Sequence, residues 1–360
     1  MTEFAPRPEW LQPQPAATAT ALPAPFYVGD GAAALDRRSV FARSWQLVAD
    51  ASRIAEPGDV AIAEIAGTPL LLVRGEDGVL RALHNVCRHR AGPLARCDAK
   101  GAKALRCAYH GWTYTLDGRL RAATEMSDAE RFDVASIRLP EAAVAEWQGL
   151  VFAALEPAHA PPFAALVAGI DARVRQDLSA LRFDHRRSYD VACNWKAYVD
   201  NYLEGYHLPH VHPGLNRLLD YRSYDTELER WHSLQSSPLD SADNFYGEGE
   251  ALYYFVFPNT MLNILPGRLQ TNRVVPTGPQ SCRVEFDFHY PRDRGDDERA
   301  RQAKDQAFSD EIQAEDVQVC EEVQLRLASG SYHAGRLNPK RESGVLHFHE
   351  LLRAAYRAAT

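Results

Sequence analysis

No stretch of the 360-residue chain approaches 18 consecutive apolar residues, so no transmembrane helix is expected. The first 25 residues, rich in Pro and Ala, lack a basic segment followed by an apolar one, which argues against an ordinary secretory signal. Arg37 and Arg38 are followed by residues too polar for a twin-arginine export signal. No basic run could track phosphates, and 40 Lys and Arg against 48 Asp and Glu leave a net charge of -8, so nucleic-acid binding is not expected. An acidic surface of this kind would suit a basic redox partner. Six cysteines are too few for a disulfide framework in a chain of this length. There is no Gly-x-Gly-x-x-Gly fingerprint, so no dinucleotide site is expected. These absences point to a cytoplasmic protein with reduced thiols. What remains is ordinary globular composition, 46% hydrophobic and 24% charged, in a chain long enough for two domains.

The chain changes texture twice. After the N-terminal arm, Ala32 to Leu47 reads as a helix with Leu35, Val40, Phe41 and Trp45 on one face. Short strands follow at Val60 to Ile65, Leu70 to Arg74, Val79 to Val86 and Glu146 to Leu155, with a hairpin around Asp117-Gly118. They form an all-β module of about 110 residues, within the usual domain size. Three prolines between Pro157 and Pro162 mark a boundary. Beyond it, Phe163 to Leu181 has helical spacing and Arg186 to Cys193 reads as a strand. Four strand-like runs lie at Leu252 to Phe257, Met261 to Leu265, Leu269 to Val275 and Cys282 to Tyr290. Helices are expected over Asp297 to Leu327 and Gly344 to Ala359. Strands grouped apart from long helices indicate an α+β fold. The expected domains are an arm and helix at 1–43, the β module at 44–156 and a second domain at 157–360.

Inside the β module, Cys87-Arg88-His89 is followed after 17 intervening residues by Cys107-Ala108-Tyr109-His110-Gly111-Trp112. Two thiolates and two imidazoles can hold a zinc ion tetrahedrally, or a [2Fe–2S] cluster with both cysteines on one iron and both histidines on the other. Cys-x-His departs from the Cys-x(2–4)-Cys spacing usual in zinc knuckles. With His89-Arg90 and Tyr109-His110-Gly111-Trp112 beside it, the pattern resembles the Rieske motif of the α subunits of Rieske non-heme iron oxygenases. The resemblance implies a Rieske [2Fe–2S] cluster on Cys87, His89, Cys107 and His110. Cys97, Cys193, Cys282 and Cys320 have no such partners and read as buried small hydrophobes or inert thiols.

Asn194 to Pro213 carries the second constellation. Asn201, Glu204 and His207 recur every three residues, the spacing of one helix face, and Pro209 and Pro213 predict a helix end near His207 or Leu208. The segments Asn194-Trp195-Lys196 and Asp200-Asn201-Tyr202-Leu203-Glu204-Gly205-Tyr206-His207 resemble the same family's catalytic domain. The resemblance covers nearly the whole chain after residue 40. It implies a second domain of antiparallel sheet and helices, helix-grip-like, holding mononuclear Fe(II) by two histidines and a carboxylate. His207 and His212 match the family's His-x4-His spacing, leaving His210 a bystander. The family takes its carboxylate from a late helix, where Asp316 fits and Asp310 and Glu315 are the alternatives. Glu204 stands where family members place the acid that bridges a Rieske histidine of one subunit to an iron-ligand histidine of the next. That role implies a homotrimer, with Asn201 in support.

Electrons would then come from a separate NAD(P)H-dependent reductase of flavin or ferredoxin type, and O2 would be the co-substrate. Glu rather than Asp at position 204 resembles the branch that oxidises choline, betaine and carnitine-type quaternary amines. Tyrosines near the expected pocket, with Tyr202, Tyr206 and Tyr254 as the first candidates, could stabilise an ammonium by roughly 0.5–2 kcal/mol each. Hydroxylation or N-demethylation of a betaine-like amine is therefore the expected reaction. Ring hydroxylation of a small aromatic acid is the alternative. A Rieske electron carrier without oxygenase activity, or a zinc-stabilised binding protein, is the reading from another class.

Overall fold

A computed structural model describes residues 4–219, 223–239 and 246–359. The chain divides into two compact units, residues 41–161 and residues 1–40 with 162–360.

The first unit is all-β. Its strands are β1 (Gln46–Asp50), β2 (Val60–Ile65), β3 (Thr68–Arg74), β4 (Leu80–His84), β5 (Leu105–Arg106), β6 (Thr113–Tyr114), β7 (Leu120–Ala122), β8 (Glu141–Trp147) and β9 (Leu150–Ala154). They form an antiparallel six-stranded sheet in the order β1-β9-β8-β4-β3-β2 and a small three-stranded sheet, β5-β6-β7. Sequence texture placed one strand at Glu146 to Leu155. The chain instead turns there, because Gln148 (φ 51°) and Gly149 (φ 78°) adopt the paired positive φ of a tight hairpin and pair β8 with β9. The expected helix from Ala32 to Leu47 is likewise shorter. It runs as α1 (Asp30–Asp36), loosens into a π turn over Arg37–Phe41, and gives way to β1, all five residues of which are buried. Continuous burial is compatible with strand as well as helix, so apolar spacing alone could not separate them.

In the second unit the expected helix at Phe163 to Leu181 is two single turns, α2 (Phe163–Leu166) and α3 (Ile170–Arg173), separated by Gly169. Then come β10 (Arg182–Val191), α4 (Trp195–Tyr202), α5 (Leu208–Val211), α6 (Leu215–Leu218), β11 (Asp225–Leu228) and β12 (His232–Leu239). They are followed by β13 (Gly249–Val256), β14 (Thr260–Leu265), β15 (Arg268–Gly278), β16 (Ser281–Tyr290), α7 (Asp296–Ala328) and α8 (Ser343–Arg357). The seven strands form one antiparallel sheet in the order β10-β16-β15-β14-β13-β12-β11, with α4 against β15 and α7. Strands β11 and β12 had not been expected, because their polar residues gave no apolar alternation. α7 turns an unusual face inward: Gln302, Asp305, Gln313, Cys320, Gln324 and Leu327 are its buried residues, mostly polar. A polar stripe buried at helical spacing needs partners, and those partners build the site.

The Asn194-Trp195-Lys196 segment fixes the start of α4. The Asn194 side chain accepts a hydrogen bond from the backbone N–H of Lys196 at 3.0 Å, capping the helix. Trp195 Nε1 donates to Asp36 at 2.9 Å, Tyr356 Oη donates to Asp36 at 2.5 Å, and the wholly buried Lys196 ion-pairs with the same carboxylate. One acid thus ties α1, α4 and α8 together. Asp36→Ala strands a buried ammonium and should cost about 3–5 kcal/mol, read as a lowered urea midpoint. A variant as stable as the native chain would refute this account of the segment.

Candidate metal centres

In the β unit two loops have the same backbone design. The N–H of Cys87 donates to Gly92 O at 2.9 Å and that of Ala91 to Cys87 O at 3.0 Å. The N–H of Cys107 donates to Trp112 O at 2.9 Å and that of Gly111 to Cys107 O at 3.0 Å. Ala91 and Gly111, each four residues after its cysteine, both have positive φ. The loops pack closely enough that a Cβ on Gly92 would lie 2.9 Å from Cys107 Sγ. Both cysteines are buried, while His89 is exposed, so the donors run from a dry thiolate side to a wet imidazole side. Trp112 stacks on His89 (centroids 4.7 Å apart, 8° between planes), and the His89 and His110 rings lie 4.6 Å apart. Tyr114 Oη accepts from Arg88 N at 2.9 Å and lies 3.3 Å from Cys87 Sγ. Partial desolvation, aided by His89 and Arg90, holds His110 below its ordinary value and favours the neutral, ligating imidazole. A single tetrahedral ion would draw its ligand atoms to within about 4 Å of one another. Among the described residues no three of these four donors converge within 4.8 Å, which suits a two-iron cluster and not one zinc.

In the second unit, His207, His212 and Asp316 do converge, with one ligand atom from each within 4.8 Å of the others. Asp316 Oδ1 lies 3.0 Å from His212 Nε2 and 3.9 Å from His207 Nε2. Two imidazoles and one carboxylate from α7 match the facial arrangement of non-heme iron sites. The other imidazole nitrogens are each held by a carboxylate. Glu204 Oε1 is 2.5 Å from His207 Nδ1, and Glu315 Oε2 is 2.7 Å from His212 Nδ1. These contacts fix which nitrogen faces the ion. Burial lowers the proton affinity of His212, but Asp316 and Glu315 outweigh it and hold the imidazole above its ordinary value. The cavity between these groups is prepared for positive charge. Asn201 Nδ2 donates to Asp316 Oδ1 at 2.6 Å and orients that carboxylate.

The local backbone departs from the expected helix. α4 ends at Tyr202, so Asn201, Glu204 and His207 do not share one helix face. The Tyr202 carbonyl accepts from Gln235 Nε2 at 2.7 Å, and the Glu204 carboxylate accepts the N–H groups of Tyr206 and His207. Both ends of the next helical hydrogen bond are thereby occupied. Glu204 builds the turn that presents His207 as well as gripping its ring. His210 is exposed and outside the cluster. Asp310 pairs with Arg187 and Tyr189, and Glu315 lies against His212 Nδ1, so of the three acids it is Asp316 that converges with both histidines.

Beside this cluster opens a cavity of about 120 Å³. Of the expected tyrosines, Tyr202 lines it and donates to Asn263 Oδ1 at 2.8 Å. Tyr206 and Tyr254 do not line it: Tyr206 is 47% exposed, and Tyr254 points to the other face of β13 from Tyr253, beside His232. Strand alternation accounts for the swap of neighbours. Tyr198, Tyr224, Tyr246, Tyr253, Phe286 and Phe308 supply the remaining aromatic wall. Sequence reading also missed Arg268, Gln270 and Asn272, which point into the cavity from β15 at every second position. Their signal was faint: Thr271 and Arg273 are polar as well, so the strand shows no clean alternation that would single these three out.

Residues 44–138 match the family model described as the Rieske [2Fe-2S] domain, and residues 178–358 match that of the ring hydroxylating alpha subunit (catalytic domain). The chain is 35% identical to chloroplastic choline monooxygenase of Arabidopsis thaliana over 98% of its length and 85% of that protein. It is 30% identical to the oxygenase subunit of carnitine monooxygenase from Escherichia coli (strain K12), covering 93% of this chain and 94% of that one. The solved structure of a quaternary ammonium Rieske monooxygenase in complex with L-carnitine superposes with a TM-score of 0.83 at 26% identity, over 96% of this chain and 99% of that chain.

Proposed function

The chain belongs to the Rieske oxygenase family of ring-hydroxylating α subunits, and on that premise we propose that it oxidises a quaternary amine at an iron held by His207, His212 and Asp316. It is an oxidoreductase, with a Rieske [2Fe–2S] domain and a mononuclear iron domain, and O2 is its co-substrate. The observation that carries the substrate reading is the aromatic wall beside the three converging ligands, together with 30–35% identity to choline and carnitine monooxygenases. Ring faces attract an ammonium that has no hydrogen to donate, and seven tyrosine and phenylalanine side chains line the cavity.

Bound iron supplies oxygen activation, with its redox chemistry tuned by the protein. The residues do the rest. Cys87, His89, Cys107 and His110 would hold the cluster. Asn201 and Glu315 keep Asp316 and His212 aimed at one point. Glu204 holds His207 and, in a homotrimer, would be the bridging acid toward a neighbouring subunit's cluster. Inter-subunit electron transfer is described for the related carnitine-oxidising enzyme. A separate NAD(P)H-dependent reductase is the source of those electrons, and the cytoplasm is the expected compartment. Among the described residues no helix is long and apolar enough to cross a membrane.

Oxygen uptake in the presence of a reductase, screened over choline, carnitine, betaines and small aromatic acids, tests the reading. Coupled uptake with a quaternary amine is expected. Coupled turnover of an aromatic acid with no quaternary amine consumed would overturn it.

A further inference from the structure

The polar end of the cavity is electrically balanced, and we propose that this balance selects quaternary amines whose second polar group is uncharged, such as an alcohol, over those carrying a carboxylate. Asp305 is the specificity-determining residue. The inference rests on the quaternary-amine reading above and sharpens it.

α7 sets the layout. Asp305 and Asp316 are eleven residues apart on it, close to three full turns, so they share a face and lie about 16 Å apart along the axis. Asp316 belongs to the metal cluster. Asp305 belongs to Arg268, whose Nη1 lies 2.7 Å from Asp305 Oδ1. Among the described residues, Arg268 is the sole Lys or Arg in the cavity wall, and so the natural seat for a substrate carboxylate. Its charge is already matched. Arg268 is 6% exposed and Asp305 4%, Tyr290 Oη donates to Asp305 Oδ2 at 3.0 Å, and Arg268 Nη2 donates to Gln270. A carboxylate brought to Arg268 would also be brought to Asp305, and in a poorly hydrated site the repulsion is of the same order as the attraction. The other charged residues in the wall, Glu204 and Asp316, are acids as well.

What the wall offers instead is a set of hydrogen-bonding atoms, donors and an acceptor, that its own residues leave open. Arg268 Nε and Gln313 Nε2 are buried donors without partners, and Gln235 Oε1 is a buried acceptor without one. Tyr198 Oη holds the other end of the Gln313 amide at 2.6 Å, and Gln235 Nε2 is committed to Tyr202 O. Buried polar atoms left open in a cavity wall ask for a ligand that completes them. A hydroxyl group both donates and accepts, whereas a carboxylate only accepts and needs a net positive seat.

Calorimetric titration of the iron-loaded enzyme with choline and with γ-butyrobetaine measures the preference without a reductase. Choline should bind at least about tenfold more tightly. Asp305→Asn frees the arginine and should move the ratio of the two affinities by about tenfold or more toward γ-butyrobetaine. The double variant R268M/D305N, neutral again, should return to the native preference. Tighter native binding of γ-butyrobetaine than of choline would overturn the proposal, whether or not the variants fold. So would a ratio unchanged in a folded Asp305→Asn protein. If neither compound binds, the quaternary-amine reading itself falls.

Discussion

Asp316→Ala is expected to abolish turnover while leaving the Rieske cluster intact. The substitution removes the one carboxylate that both His207 Nε2 and His212 Nε2 face, so the metal loses one of three protein ligands. Iron content should fall from the three atoms that a two-iron cluster and a mononuclear site hold together to two. Activity should drop by at least about a thousandfold, since a metal centre supplies several kcal/mol of barrier lowering. The cluster's visible absorption and electron paramagnetic resonance should not change, because all four of its ligands lie in the other unit. The alternative acids predict otherwise. If Glu315 were the ligand, Asp316→Ala would keep its iron and Glu315→Ala would lose it. Iron analysis of both variants decides.

Glu204→Gln is expected to separate metal binding from electron delivery. Glutamine keeps one oxygen for His207 Nδ1, while its amide nitrogen replaces the Oε2 that now accepts from the N–H groups of Tyr206 and His207, so the grip on the imidazole survives and the turn is weakened. Both metal sites should stay full. What is lost is the carboxylate charge beside the His207 imidazole, and if Glu204 is the proposed bridge, steady-state turnover should fall by about 100-fold. Rapid mixing of reduced protein with O2 and substrate should show slow reoxidation of the cluster. Full native turnover would remove Glu204 from the electron path and leave it only the role of shaping the turn.

The two donor sets were legible in the sequence through their resemblance to a family motif, which fixes residue type and spacing together. Cys-x-His and Cys-x-x-His sit on loops of matching backbone, and His-x4-His survives whether the residues between are one helix or two. The helical reading of Asn201, Glu204 and His207 failed for a reason no spacing rule contains. Gln235, distant in sequence, occupies the Tyr202 carbonyl, and Glu204 occupies the N–H of Tyr206. The substrate wall was harder to see. Tyr253 and Tyr254 are neighbours on β13, and only the register against β12 and β14 decides which one faces the cavity. Arg268 and Asp305, 37 residues apart, carry no local sign that they meet. The buried polar stripe of α7 is the feature that ties these parts together, since it holds Asp305, Gln313 and Asp316 on one side of a single helix.

The most direct test of the whole account is a single turnover. Enzyme reduced chemically, freed of reductant and mixed with O2 and choline should reoxidise its Rieske cluster and form oxidised amine in proportion to its mononuclear iron. Reoxidation without any product from a quaternary amine, alongside hydroxylation of an aromatic acid under the same conditions, would contradict it.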